Sequence, residues 1–71
     1  MYYVVMEVVI NKVYDLRAKK GWTQEEFARK IGVTRQTVIS IEKGNYTPSV
    51  LLALKIAQQF DCGVEDIFSI V

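Results

Sequence analysis

The chain contains no histidine, one cysteine (Cys62) and one proline (Pro48). Each scarcity removes a class of function. Without histidine, and with a single thiol, a zinc site of the usual nitrogen and sulfur ligands has too few donors. A lone cysteine also excludes an intramolecular disulfide framework. Enzyme chemistry lacks its common parts: there is no imidazole base and no glycine-rich phosphate loop, and Cys62 has no base motif beside it. Cys62 falls at a helix break and reads as a small packed residue. No cofactor is expected. Long apolar runs are missing as well. The stretch MYYVVMEVVI, residues 1–10, is shorter than the ~20 residues that span a bilayer. It also lacks the basic start and small-residue cleavage site of a signal peptide. The expectation is a soluble, cytoplasmic protein without membrane contact.

What is present points elsewhere. At 71 residues the chain is one domain, yet 51% of it is apolar, generous for so small a core. Part of that surplus is a candidate for burial against a second subunit. The net charge is only +1, but its distribution is uneven. Residues 11–45 hold eight bases and four acids, whereas the remainder holds Lys55 against Glu7, Asp61, Glu65 and Asp66. A basic centre with an acidic tail suits a phosphate-facing surface, and it equally describes an ordinary mixed-charge surface.

Residues 1–10 are rich in Tyr and Val and read as a strand. No other segment looks like a partner strand. The simplest partner is therefore the same strand of another copy across a two-fold axis, the alternative being an extended arm on the helices. From Asn11 onward, through residue 71, the punctuation is helical. Asn11 caps a first helix, KVYDLRAKK, which Gly21 ends. Thr23 caps a second, with Glu26 completing a capping box and Trp22 and Phe27 at staple spacing. Gly32 stops it. Val33 and Val38 bracket Thr34 in the same way, so a third helix runs from about Arg35 to Lys43 and ends at Gly44. Thr47 caps a fourth, with Pro48 at its first position and Leu51 at the staple position. Its expected inner face is Val50, Ala53, Leu54, Ala57 and Phe60. After Cys62-Gly63, the sequence VEDIFSI suggests a short fifth helix with acids near its positive end. The expected fold is all-α with five short helices.

Only Gly32, Val33 and Thr34 separate the second and third helices, which is the spacing of a helix-turn-helix. The surrounding stretch, LRAKKGWTQEEFARKIGVTRQTVISIEKGNYTPSVLLALKIAQQF, resembles the Cro/lambda-repressor-like (Xre-type) helix-turn-helix regulators. Separate motifs carry the likeness: Leu16-Arg17, Thr23-Gln24-Glu25, Ile31-Gly32-Val33, Thr34-Arg35-Gln36-Thr37, Ile41-Glu42-Lys43-Gly44, Pro48-Ser49 and Lys55-Ile56-Ala57. It covers residues 11–68. The resemblance implies a five-helix fold and sequence-specific binding of double-stranded DNA, with the third helix in the major groove. It implies that Gln24 holds a phosphate and steers a neighbouring recognition side chain. It places Thr34, Thr37, Ser40, Lys43 and Asn45 on the sugar-phosphate backbone, although Thr34 and Thr37 can equally be local caps. It further implies that Arg17 and Glu42 form a partly buried ion pair joining the first and third helices.

The third helix can also be read on its own chemistry. With Val38 and Ile41 facing the core, its outer positions are Arg35, Gln36, Ile39, Ser40 and Lys43. Arg35 and Gln36 sit at the start, the end that reads bases in such motifs. Arginine pairs with guanine O6 and N7, glutamine with adenine N6 and N7, and Ile39 can meet a thymine methyl. Ser40 completes the base-reading set. Trp22, Phe27 and Phe60 fit core positions rather than stacking platforms.

Residues 1–10 lie outside the resemblance. They are either an added dimer strand or an upstream start. Tyr2, Tyr3 and Val5 there, with Ile67 and Phe68 near the other end, are the expected dimer contacts. Leu51 and Leu52, with Ile67, Phe68, Ile70 and Val71, suggest an apolar patch. The leading expectation is a homodimeric repressor on an inverted repeat. The alternative is a protein-docking module of the same fold, such as an antitoxin bound to a toxin, or a coactivator.

Overall fold

The computed structural model describes residues 7–71. Four α-helices form the body: α1 (Val13–Lys20), α2 (Gln24–Ile31), α3 (Arg35–Glu42) and α4 (Val50–Phe60). A two-stranded antiparallel ribbon, β1 (Val9–Asn11) and β2 (Phe68–Ile70), joins the two ends of this body, and a 3-10 turn, Val64–Asp66, leads into β2.

Three helix starts follow from local chemistry. Thr23 Oγ1 accepts from the Glu26 amide at 3.0 Å, and Glu26 returns a carboxylate to the Thr23 amide at 3.1 Å. This reciprocal box satisfies two donors that a helix start otherwise leaves open. Thr34 caps α3 through the Thr37 amide, and Ser49 caps α4 through the Leu52 amide. Endings follow from backbone hand. Gly32 adopts φ 73° to turn the chain between α2 and α3. Gly44, at φ 79°, closes α3 with a paired Schellman turn, in which the Gly44 amide reaches the Ile41 carbonyl and the Asn45 amide reaches the Ser40 carbonyl. Asp61 ends α4 in the same left-handed region, where a non-glycine residue is strained.

The core gathers one face of every helix. Val13, Phe27, Val38, Ile41 and Ile56 are fully buried, and Ala28, Ile31, Leu52, Ala57, Phe60 and Ile67 complete the cluster. Trp22, Phe27 and Phe60 stack face to face, with ring centroids 5.1–6.1 Å apart. Trp22 stays half-buried, with the Lys30 ammonium 4.6 Å from its ring centre.

Several expectations are corrected. Among the described residues there are four α-helices, not five: VEDIFSI divides into the 3-10 turn and β2. In the turn, the Asp66 carboxylate takes the Gly63 amide at 2.9 Å. β2 is the strand partner of β1, which the sequence did not reveal. Val9 faces Ile70, Ile10 faces Ser69 and Asn11 faces Phe68, all within one chain. Backbone bonds from Lys12 to Ile67 and from Val71 to Val8 extend the ladder at both ends. The expected boundary between residues 10 and 11 therefore falls inside β1. Thr47 is not the cap of α4. The cap is Ser49, two residues later, and the inner face turns with it. Leu52 and Ile56 are buried, while Val50, Leu51 and Leu54 are 77%, 65% and 50% exposed. Ile67, expected at a dimer contact, is 2% exposed in the chain's own core. Tyr2, Tyr3 and Val5 lie outside the described residues.

Candidate nucleic-acid interface

α2, the three-residue turn and α3 place a short row of polar side chains on one surface. Arg35 and Gln36 are exposed at the start of α3; Ile39 and Ser40, one turn on, are half-buried. The hydroxyls of Thr34 and Thr37 lie 3.1 Å apart at the helix start. Thr34, Gln36, Thr37, Ser40, Asn45 and Tyr46 line a shallow hollow of about 240 Å³. Lys43, the last residue before the Schellman turn, is exposed beside it in sequence. A helix N-terminus, two hydroxyls and amide side chains offer donors to a phosphate oxygen or a base edge. Tyr46, which the sequence did not single out, also lines this hollow. Its position next to Asn45 was the available signal.

Behind this surface, Arg17 and Glu42 organise a network. Arg17 Nε donates to Glu42 Oε2 at 2.6 Å, and Nη2 donates to Oε1 at 3.2 Å. The third arm, Nη1, donates to the Trp22 carbonyl at 2.8 Å. The guanidinium also lies 5.2 Å from the centre of the Tyr14 ring. The two charged side chains are only 11% and 6% exposed. The hydrogen bond to Glu42 raises the Arg17 pKa above its ordinary value, against an opposing effect of burial. Gln24, at the start of α2, turns its amide inward: Nε2 donates to Glu42 Oε1 at 3.1 Å. Three elements therefore meet at Glu42. α1 supplies Arg17, α2 supplies Gln24, and α3 carries the carboxylate.

A family model described as helix-turn-helix matches residues 13–67, which takes in all four α-helices and stops short of β2. The chain belongs to the Xre-type helix-turn-helix family of transcriptional regulators. It is 57% identical over 58 residues to an HTH-type transcriptional regulator, YgzD, of Bacillus subtilis, covering 82% of this chain and 88% of that one. The phage CTXphi transcriptional repressor RstR of Vibrio cholerae is 32% identical over 59 residues; the match covers 83% of this chain and 53% of the repressor. Among solved structures, the restriction-modification controller protein C.AhdI from Aeromonas hydrophila superposes with a TM-score of 0.71 at 31% identity. That superposition covers 78% of this chain and 83% of the controller. In this helix-turn-helix protein, no helix among the described residues is long and apolar enough to cross a membrane.

Proposed function

We propose that this helix-turn-helix regulator represses transcription by binding an inverted-repeat operator as a homodimer, with α3 in the major groove. The observation that carries the reading is the exposure of Arg35 and Gln36 together at the first turn of α3. Two side chains capable of bidentate base contacts stand there, free of any partner hydrogen bond in the described network. Ile39 and Ser40 extend the reading surface. Thr34, Thr37, Lys43 and Asn45, together with the one Gln24 amide hydrogen not given to Glu42, supply backbone contacts that fix register without reading sequence. The 32% identity with a named repressor supports the direction of control. Occupancy alone then suffices, because a bound dimer blocks polymerase.

Dimerisation is supported by apolar surface that the chain does not cover itself. Val50, Leu54, Ile70 and Val71 are each at least half exposed. Val9, Pro48, Val50, Ala53, Val64 and Phe68 line an apolar hollow of about 200 Å³ between α4 and the ribbon. A second copy seated there retains Phe68 among the expected contacts and drops Ile67. Two recognition helices related by a two-fold axis read half-sites about 10–10.5 bp apart, or a multiple of that.

The test is selection of the purified protein on a random duplex library at near-physiological salt. An enriched inverted repeat is expected, with each arginine or glutamine base pair worth about 1–3 kcal/mol of discrimination. Arg35→Ala and Gln36→Ala should abolish the preference at their own positions while leaving the melting temperature unchanged. Binding should also weaken steeply as salt rises. Absence of enrichment from folded protein refutes operator binding and leaves docking to a protein, such as a toxin or a polymerase-bridging partner.

A further inference from the structure

Asn11 lies on the ribbon, outside the helix-turn-helix. It is the last residue of β1, half-buried, and its side chain makes two bonds in different directions. Oδ1 accepts from the Val13 amide at 3.1 Å, which serves the start of α1. Nδ2 donates to the Ile41 carbonyl at 2.8 Å, thirty residues away in the last turn of α3. That same carbonyl accepts the Gly44 amide at 3.0 Å. The Ile41 oxygen is therefore the point where the Schellman turn closes and where the ribbon meets the recognition helix. Val8, Val9, Ile10 and Asn11 line one side of a hollow of about 300 Å³ whose other side is Glu42, Lys43 and Gly44.

We infer that Asn11 is a positioning residue for DNA binding: its amide donor fixes the C-terminal turn of α3, and with it Lys43 and Asn45, at the height needed to meet the sugar-phosphate backbone. α3 has eight residues, with its cap bonded to Thr37 at one end and the Schellman turn at the other. Core burial of Val38 and Ile41 fixes which face looks inward, but burial along one edge does not by itself set the tilt of the helix. A hydrogen bond from outside the helix to its last turn restrains that tilt. Glu42 acts similarly towards α1 and α2, so two independent ties hold the end of α3 that follows the base-reading turn. The inference rests on the DNA-binding reading above.

Asn11→Asp separates the two bonds. The carboxylate keeps an acceptor for the Val13 amide and, at a helix start, suits it. It loses the donor to Ile41. Two controls accompany it. Ser69→Asp adds the same charge on the paired strand without touching the bond, and Ser49→Ala removes the α4 cap and lowers stability at a distance. Affinity for the selected duplex is measured well below every melting temperature, together with amide exchange at Gly44 and Asn45. Loss of one net hydrogen bond corresponds to about two- to tenfold in an equilibrium constant. Asn11→Asp should therefore weaken duplex binding several-fold beyond Ser69→Asp and speed exchange at Gly44 and Asn45. Ser49→Ala should leave affinity unchanged. Equal affinity losses in Asn11→Asp and Ser69→Asp, or unchanged exchange at Gly44 and Asn45, overturn the inference while operator binding stands. Failure of the parent protein to bind any duplex overturns the DNA-binding reading and this inference with it.

Discussion

Removing one member of the Arg17–Glu42 pair should cost this protein a large share of its stability. Arg17→Met retains most of the apolar stem but deletes all three hydrogen-bonding arms. Glu42, 6% exposed, is then left with the neutral Gln24 amide as its remaining side-chain donor and no countercharge. Breaking a buried pair on one side costs about 3–5 kcal/mol. The residual solvent contact of both side chains places the expected loss near the lower end, at about 3 kcal/mol. A domain of this length has about 4–10 kcal/mol in total. Each kcal/mol moves its melting temperature by about 4–8 °C, so the drop is about 12–24 °C. Glu42→Leu should cost somewhat less, because Arg17 keeps the Trp22 carbonyl and the Tyr14 ring. The double variant removes both buried charges together, and should recover about 2 kcal/mol relative to the sum of the singles. Thermal and urea melts followed by circular dichroism at 222 nm measure all four corners of this cycle. A loss below 1 kcal/mol in Arg17→Met, or strict additivity in the double variant, would refute the buried-pair argument. The raised pKa of Arg17 adds no pH dependence near neutrality. A base with a raised folded pKa keeps its full contribution below its unfolded pKa, and loses it only as pH rises through the folded value.

Glu26 behaves differently. Its hydrogen bonds to the Thr23 backbone and side chain hold its carboxyl below the ordinary value of 4.5. A depressed acid contributes stability above its unfolded pKa and loses it as pH falls through the folded one, so Glu26→Gln should flatten the acid side of a stability–pH profile below about pH 4.5. Urea midpoints taken from pH 3 to 7 check this; an unchanged acid limb counts against the capping box. Phe60→Ala removes the ring that stacks on both Trp22 and Phe27, and should cost about 3–5 kcal/mol, read as a lowered melting temperature and altered Trp22 fluorescence. Cys62 should alkylate more slowly than a free thiol near pH 8, because desolvation and then the charges of Asp66, Asp61 and Glu65 push its pKa up. Alkylation as fast as free cysteine refutes that.

The helix-turn-helix itself was legible because its information is local. Thr23 with Glu26, the left-handed Gly32 and the cap at Thr34 each declare themselves within a few residues. α4 was misread because its first turns are apolar on every side: Val50, Leu51, Leu52, Ala53 and Leu54 fit more than one stripe. Thr47 and Ser49 are both capping residues, and only packing against α2 selects Ser49, which turns Leu52 and Ile56 inward. β2 was misread because a three-residue strand is too short to show a period, and its partner lies at the far end of the described chain. Asn11 was expected as the cap of α1, but the cap position is Lys12, and Asn11, one residue earlier at the end of β1, reaches the helix start through the Val13 amide. Its second bond, to Ile41, crosses thirty residues and leaves no trace in sequence spacing.

The ribbon sets an order on the birth of this protein. As the chain leaves the ribosome, α1, α2 and α3 emerge with their local caps intact, and helix pairs with mostly local contacts assemble quickly. β1 emerges before them all, yet it waits for residues 68–70, and the core position of Ile67 stays open until then. A chain cut after α4 would thus present a helix-turn-helix with an unfilled core and an unpaired, apolar first strand. Such a fragment is a natural target for chaperones and proteases. The presence of residues 67–70 is therefore built into the fold as a condition for its closure.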